Sequence, residues 1–283
     1  MCYSTSVLVL FSTFVALAAD TPKAAKQQDK FDGLIFNGKD LNGWRRSKHK
    51  NPHGTGGRWT VTPGATKELG VLSGEQDPPG SGNGGIFVTD QKFADFVLSL
   101  EMKPDWGIDS GIILRASEHG GGFQIFVDHH DSGNIGHLRV EIPEVRGITV
   151  PLRPFHFDGI LDANGRPVAF KTRIDDRTSK WPAKGVYKYS CPPEDWLRCW
   201  KVGAWNKIRI RCVGKYPQII TWINGTKIFD FDASTCTHPG FHNEEILRAL
   251  GPAGSIGFQV HRGARSWPKG KKCNWRNIHL KEL

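Results

Sequence analysis

From Phe96 onward the chain alternates apolar and polar residues with a period of two, and this single pattern excludes most folds. Successive side chains of a strand point to opposite faces, so the alternation marks strands with one face buried. Such runs cover 96–102, 111–115, 122–128, 137–142, 207–213, 218–223, 226–231, 255–261 and 274–281. Asn224-Gly225 separates two of them and is a strong signal for a two-residue hairpin, because both residues tolerate positive φ. The 33 glycines and 17 prolines punctuate the runs. Helical periodicity is confined to a short stretch at 243–250. The expected architecture is all-β, with two antiparallel sheets packed as a jelly-roll type of sandwich.

The uncharged apolar run Val7 to Leu17, closed by Ala16-Leu17-Ala18, reads as a signal peptide over residues 1–18 and predicts an exported protein, periplasmic or secreted. It is shorter than the roughly 20 residues a spanning helix needs, so no membrane span is expected. Residues 19–30 are polar and read as a flexible lead-in, leaving 31–283 as one domain. Lys and Arg outnumber Asp and Glu by 38 to 28, but the basic residues are scattered. No continuous basic stripe or known reading module is present, and nucleic acid is not an expected partner. Five cysteines follow the expected cleavage site: Cys191, Cys199, Cys212, Cys236 and Cys273. Cys212 is in phase with Ile208 and Ile210 and should be a core thiol. The other four allow two disulfides, with Cys191 to Cys199 the easiest closure. The segment 143–204 breaks the rhythm: it is rich in Pro and Trp and reads as a long insertion covering one end of the sandwich.

Ten segments in order carry a resemblance. The chain opens on Phe31-Asp32-Gly33-Leu34-Ile35-Phe36-Asn37-Gly38-Lys39-Asp40-Leu41-Asn42-Gly43-Trp44. It continues with Trp59-Thr60-Val61, Gly70 to Gly74, Phe93 to Glu101, Asp109 to Arg115 and Gly122-Phe123-Gln124-Ile125. Trp205 to Ile208, Asn224-Gly225, Gly254 to His261 and Trp275 to Ile278 follow. Together these resemble the 3-keto-disaccharide hydrolase domain family. The resemblance implies a concanavalin-like jelly roll and a carbohydrate-active enzyme that cleaves 3-keto-glycosides. In that chemistry the C3 ketone acidifies the C2 proton, a base removes it, the C1 leaving group is expelled, and water adds back to give net hydrolysis. A non-catalytic, lectin-like carbohydrate-binding module of the cell envelope is the competing reading. An ordinary two-carboxylate glycosidase is disfavoured, since no Glu-x-Asp-x-x-Glu strand is present.

Alternation sorts the polar residues by face. If the faces coincide, Glu101, Arg115, Gln124, Asp128, Gln259 and His261 line one concave surface. The expected roles are Glu101 or Asp128 as base, His261 as acid or metal ligand, and Arg115, Gln124 and Gln259 as donors to substrate oxygens. Asp128 and His130 stand two apart and are suited to a divalent metal ion, or to a polar turn before Gly133-Asn134. No nucleotide or organic cofactor is expected. Trp181, Trp196 and Trp200 suit either a sugar-stacking rim, with Trp196 and Trp200 binding substrate, or ordinary core packing.

Overall fold

The alternating runs pair into two large antiparallel sheets. The computed structural model describes residues 33–48, 53–143, 145, 148–175, 178 and 186–283; the expected signal peptide, the lead-in and Trp181 lie outside them. Strands β1 (Gly33–Leu34), β2 (Trp44–Arg46), β3 (Arg58–Thr62), β4 (Val71–Glu75) and β5 (Gly85–Thr89) precede the first long run. Then come β6 (Phe96–Pro104), β7 (Ser110–Ala116), β8 (Gly122–Asp128), β9 (Asn134–Glu141), β10 (Thr149–Leu152), β11 (His156–Leu161) and β12 (Pro167–Arg173). The rest are β13 (Tyr189–Ser190), α1 (Pro193–Cys199), β14 (Asn206–Val213), β15 (Gln218–Ile223), β16 (Thr226–Asp232), α2 (Asn243–Leu250), β17 (Ser255–Val260) and β18 (Cys273–Glu282).

One sheet has nine strands in the order β13-β16-β15-β14-β6-β18-β4-β3, with β1 also on β18; the other has seven, β10-β9-β8-β7-β17-β5-β2. Between them lies the main core, filled by one alternate set from each strand: Ile112 and Leu114 from β7, Phe123, Ile125 and Val127 from β8, Leu98 and Leu100 from β6, Ile208 and Ile210 from β14. A column of stacked rings runs through it, Trp44 on Phe258 at 5.3 Å and Phe258 on Trp275 at 4.4 Å, each contact adding about 0.5–1.5 kcal/mol beyond its buried area. The second alternate set of the seven-stranded sheet faces away from this core. It carries a small apolar cluster of its own, Ile86, Val88, Ile113 and Ala116.

Asn224 and Gly225 both take positive φ, 48° and 92°, and join β15 directly to β16 as a type I′ turn requires. The short helix expected at 243–250 is α2. Period two misses β1 to β5, of which none exceeds five residues, too few for an alternation to stand out. It also misses the structure inside 143–204, where Pro151 and Pro154 interrupt the pattern. There β10 joins the seven-stranded sheet, while β11 and β12 form a two-stranded sheet of their own that slips register at Ile160/Leu161 and bridges to Gly133 through Phe157. The five cysteines are free thiols, so neither the Cys191–Cys199 closure nor a second bridge is found. Cys212 is buried in the core, in phase with Ile208 and Ile210.

Candidate functional site

The outer face of the seven-stranded sheet gathers most of the chemistry. Gln124 and Asp128 on β8, Gln259 on β17 and Arg139 and Glu141 on β9 come from adjacent strands, since Gln124 pairs with Arg139 and Gly122 with Glu141, and β17 and β8 flank β7. Gly111, between them, is needed: a Cβ there would lie 2.4 Å from the Gln124 amide. That clearance lets Gln124 Nε2 donate to Gln259 Oε1 at 2.9 Å. Gln259 Nε2 is left buried without a hydrogen-bond partner, a donor held ready for an oxygen.

Asp109, Asp128 and His130 form the densest cluster, with one ligand atom from each within 4.8 Å of the others. Asp128 is 1% exposed. Arg153 donates to its Oδ2 at 3.0 Å, and its Oδ1 has no partner. Burial, and then the neighbouring Asp109 carboxyl, pushes the Asp128 pKa well above the usual carboxylate range. Two carboxyls this close cannot both ionise unless a cation joins them. The His130 Nδ1–H donates to the Asp131 carbonyl at 2.7 Å, which leaves Nε2 as the lone-pair nitrogen for a ligand. Two carboxylates and an imidazole make a donor set that fits a divalent ion.

A pair of histidines stands beside this cluster. The His261 Nδ1–H donates to the Arg262 carbonyl, so its Nε2 carries the lone pair and lies 3.9 Å from Asp109 Oδ2. Burial lowers the His261 pKa, and the opposing pull of Asp109 does not restore it; the imidazole is neutral at pH 7. The His53 ring meets it edge-on, centroids 4.8 Å apart. His53 Nε2 in turn donates to Glu141 Oε2 at 3.3 Å, and Arg139 contacts the same oxygen at 2.8 Å. Burial raises the Glu141 pKa, but the His53 hydrogen bond and the Arg139 charge outweigh it, so Glu141 is held below the usual range and ionised.

Of the residues expected from the sequence, Gln124, Asp128, His130, Gln259 and His261 come together. Glu101 does not join them. It lies on β6 of the other sheet and binds Arg276 Nε at 2.6 Å. Alternation sorts faces within a strand and is blind to which sheet the strand joins. Arg115 is also elsewhere: its left-handed φ of 49° turns it off the face it shares in sequence with Ile113. Its guanidinium donates to Ala94 O, Asp95 Oδ1 and Gly214 O, all at about 3 Å, beside the ends of the nine-stranded sheet. Trp196, 0% exposed, stacks on Phe157 at 4.4 Å and on buried Trp200 at 5.4 Å; neither ring offers a face to a sugar.

Asp109, Glu141, Arg139, His53 and Arg153 were not singled out by the sequence. Asp109 extends the strand face of Gly111 by two residues and Glu141 shares the face of Arg139 within the run 137–142, and that signal could have found them. His53 and Arg153 lie in loops with no periodicity to place them. The segment 143–204 reaches the site twice. It supplies Arg153, and its hairpin β11–β12 fixes the turn that carries His130. Asp158 accepts from Ser132 N at 2.8 Å and from Arg173 Nε at 2.9 Å, while Asp131 accepts from Gly159 N at 2.9 Å.

The crevice lined by His53, Gln124, Glu141 and Gln259 encloses about 10 Å³, room for one water. His53 also lines an open groove of about 430 Å³, so crevice and groove adjoin at this residue.

A candidate glycosyl hydrolase from Parabacteroides distasonis ATCC 8503 has 17% identity and a TM-score of 0.46, covering 89% of this chain and 93% of its own. A β-1,3-1,4-glucanase (lichenase) from a mouse hindgut metagenome has 11% identity and a TM-score of 0.42, covering 87% and 96%. In sequence, a 3-keto-disaccharide hydrolase of Bacteroides thetaiotaomicron is 38% identical over 85 residues, 30% of this chain and 27% of that relative. The match thus spans about a quarter of the relative's length. The 3-keto-alpha-glucoside-1,2-lyase-like domain matches nearly the whole described body, residues 33–281, and the chain belongs to that family.

Proposed function

We propose that this domain cleaves 3-keto-glycosides by abstracting the C2 proton and expelling the C1 leaving group, with water adding back to C1, and that it holds a divalent cation at Asp109, Asp128 and His130. The observation that carries the reading is the buried, unpartnered Asp128 Oδ1 beside a second carboxyl and an imidazole nitrogen. When bound, a cation there supplies Lewis-acid polarisation of the substrate's carbonyl.

The remaining roles fall to the chain. His261 Nε2, neutral and carrying its lone pair, is the base for the C2 proton. His53, when protonated and held through Nε2 by Glu141, hands its Nδ1 proton to the departing C1 oxygen, and the water that adds to C1 gives that proton back. The two groups removed are on adjacent carbons, which suits two imidazoles in contact at 4.8 Å. Gln259 Nε2 donates to the oxygen at C3 as negative charge develops there, and Gln124 holds that amide in place. Water then attacks C1 and the proton returns to C2, so atoms balance as net hydrolysis.

The mature chain, taken from Ala19 as an exported protein would be, is incubated with 3-keto-glucosides and with unoxidised glycosides, before and after exhaustive chelation. The expected result is aglycone release from the keto-sugars alone, lost on chelation and restored by a divalent ion. Release from neither substrate would refute the enzyme and favour the lectin-like module; release unaffected by chelation would remove the cation.

A further inference from the structure

The groove beside His53 has a composition of its own. It is walled by three loops: His53 to Thr55, Ser81 to Gly84, and the end of β17 at Arg262. At about 430 Å³ it falls within the ~300–1,000 Å³ range of small-ligand sites. The walls are fixed against one another. Gln76, fully buried, donates to the His261 and Gly263 carbonyls at 2.9 and 3.1 Å and accepts from Gly82 N at 2.8 Å. Gly56 N donates to Gly84 O at 2.8 Å, tying in the third loop. The groove is therefore preformed, and its glycines keep side chains out of it.

Among the described residues, none that lines this groove is acidic. Arg262 stands on its lip, exposed and without an ion-pair partner among the described residues. Arg265 and Lys269 follow on the same segment, and Lys269 lies against Gly80 of the facing loop. From this we infer that the groove is the leaving-group subsite and that it takes an anionic sugar, one bearing a carboxylate or sulfate that Arg262 binds. The inference rests on the proposed keto-glycoside chemistry for its orientation and on Arg262 for its charge preference. A guanidinium matches an oxyanion with two parallel hydrogen bonds, where a neutral hydroxymethyl group offers one.

The test uses paired 3-keto-glycosides that differ only in the leaving sugar, a hexose or the corresponding uronate. At low salt the uronate is expected to have a kcat/KM about tenfold higher, the size of one charge-assisted hydrogen bond. In Arg262→Gln the ratio falls to near one, and in 0.5 M salt it shrinks in the parent as well. A ratio near one in the parent, or a ratio unmoved by the substitution, overturns the proposal. If neither substrate turns over, the keto-sugar reading has failed by itself. The groove is then tested by NMR titration with methyl glucuronide and methyl glucoside: binding of the glucuronide alone, lost in Arg262→Gln, supports the anionic subsite, and equal or absent binding of the two sinks it.

Discussion

Glu101 and Asp128 invite direct comparison. Each is a carboxylate on a central strand, one in each sheet, and each is turned away from the core. Glu101 is partly exposed and satisfied by Arg276. Asp128 is buried, shares its surroundings with a second carboxyl, and keeps one oxygen unpartnered although Arg153 holds the other. A charged residue that has all its partners has nothing left to offer a ligand. One that is buried and incomplete costs stability unless something binds there, so the two sheets differ in what their polar faces are for.

The sharpest way to break this contrast is Asp128→Asn. It removes one charge of the proposed cation site while preserving shape, and kcat/KM on 3-keto-glucosides should fall about 10³-fold or more, within the usual range for lost metal or acid–base groups. Asp109→Asn should do the same, whereas a tenfold or smaller loss in both would undo the cluster's role.

Trp196→Ala tests whether that ring belongs to the core. It should lower unfolding free energy by roughly 3–5 kcal/mol, as for other buried large aromatics, read from urea melts at pH 7. A variant of parental stability with weakened sugar binding would return Trp196 to the substrate rim.

Acid provides a third test. Burial lowers the pKa of His129 to about 4 and of His137 to about 3, while both titrate near 6.5 once unfolded. Between 6.5 and 4 the unfolded chain therefore binds protons that the native one refuses. Stability is complete above pH 6.5 and falls with acid by roughly 1.4 kcal/mol per pH unit for each histidine. Urea melts at pH 7, 6 and 5 check this, and a flat profile would show that these rings are not buried as described.

The smallest effect is expected from Glu101→Gln. Its ion pair with Arg276 is part-exposed and contributes about 0–1 kcal/mol, and catalysis on the opposite sheet should change less than about twofold, well below the effect of losing a catalytic group. A large loss of kcat/KM with normal stability would put Glu101 back in the reaction.

Much of the site can be read along single strands. Gln124 with Asp128, and Gln259 with His261, stand at even spacings, and backbone pleating alone puts each pair on one face. Asp109 and Glu141 follow the same rule: Asp109 needs only a strand extended by two residues, and Glu141 lies within the run 137–142. Glu101 shows where the rule stops. Pairing β6 with β14 and β18 is a long-range choice made by the whole sandwich, and nothing within 96–102 records it. Arg115 fails for a local reason, one positive φ that reverses its side chain. His53 and Arg153 reach the site from loops, and their positions follow from tertiary contacts to Glu141 and Asp128. The core tryptophans are a different matter, because a ring's chemistry is the same whether it stacks on Phe157 or on a pyranose.

The turn bearing His130 is shaped by a hairpin that belongs to neither large sheet, through Asp158, Gly159 and Arg173. The nitrogen of the proposed cation site is thereby placed by an appendage and its two carboxylates by the scaffold. The appendage works as a tuning element that can be exchanged as a unit. Relatives that lengthen, shorten or replace the 143–204 segment on an unchanged sandwich should differ first in which ion they retain and how tightly, and only afterwards in which sugar they accept.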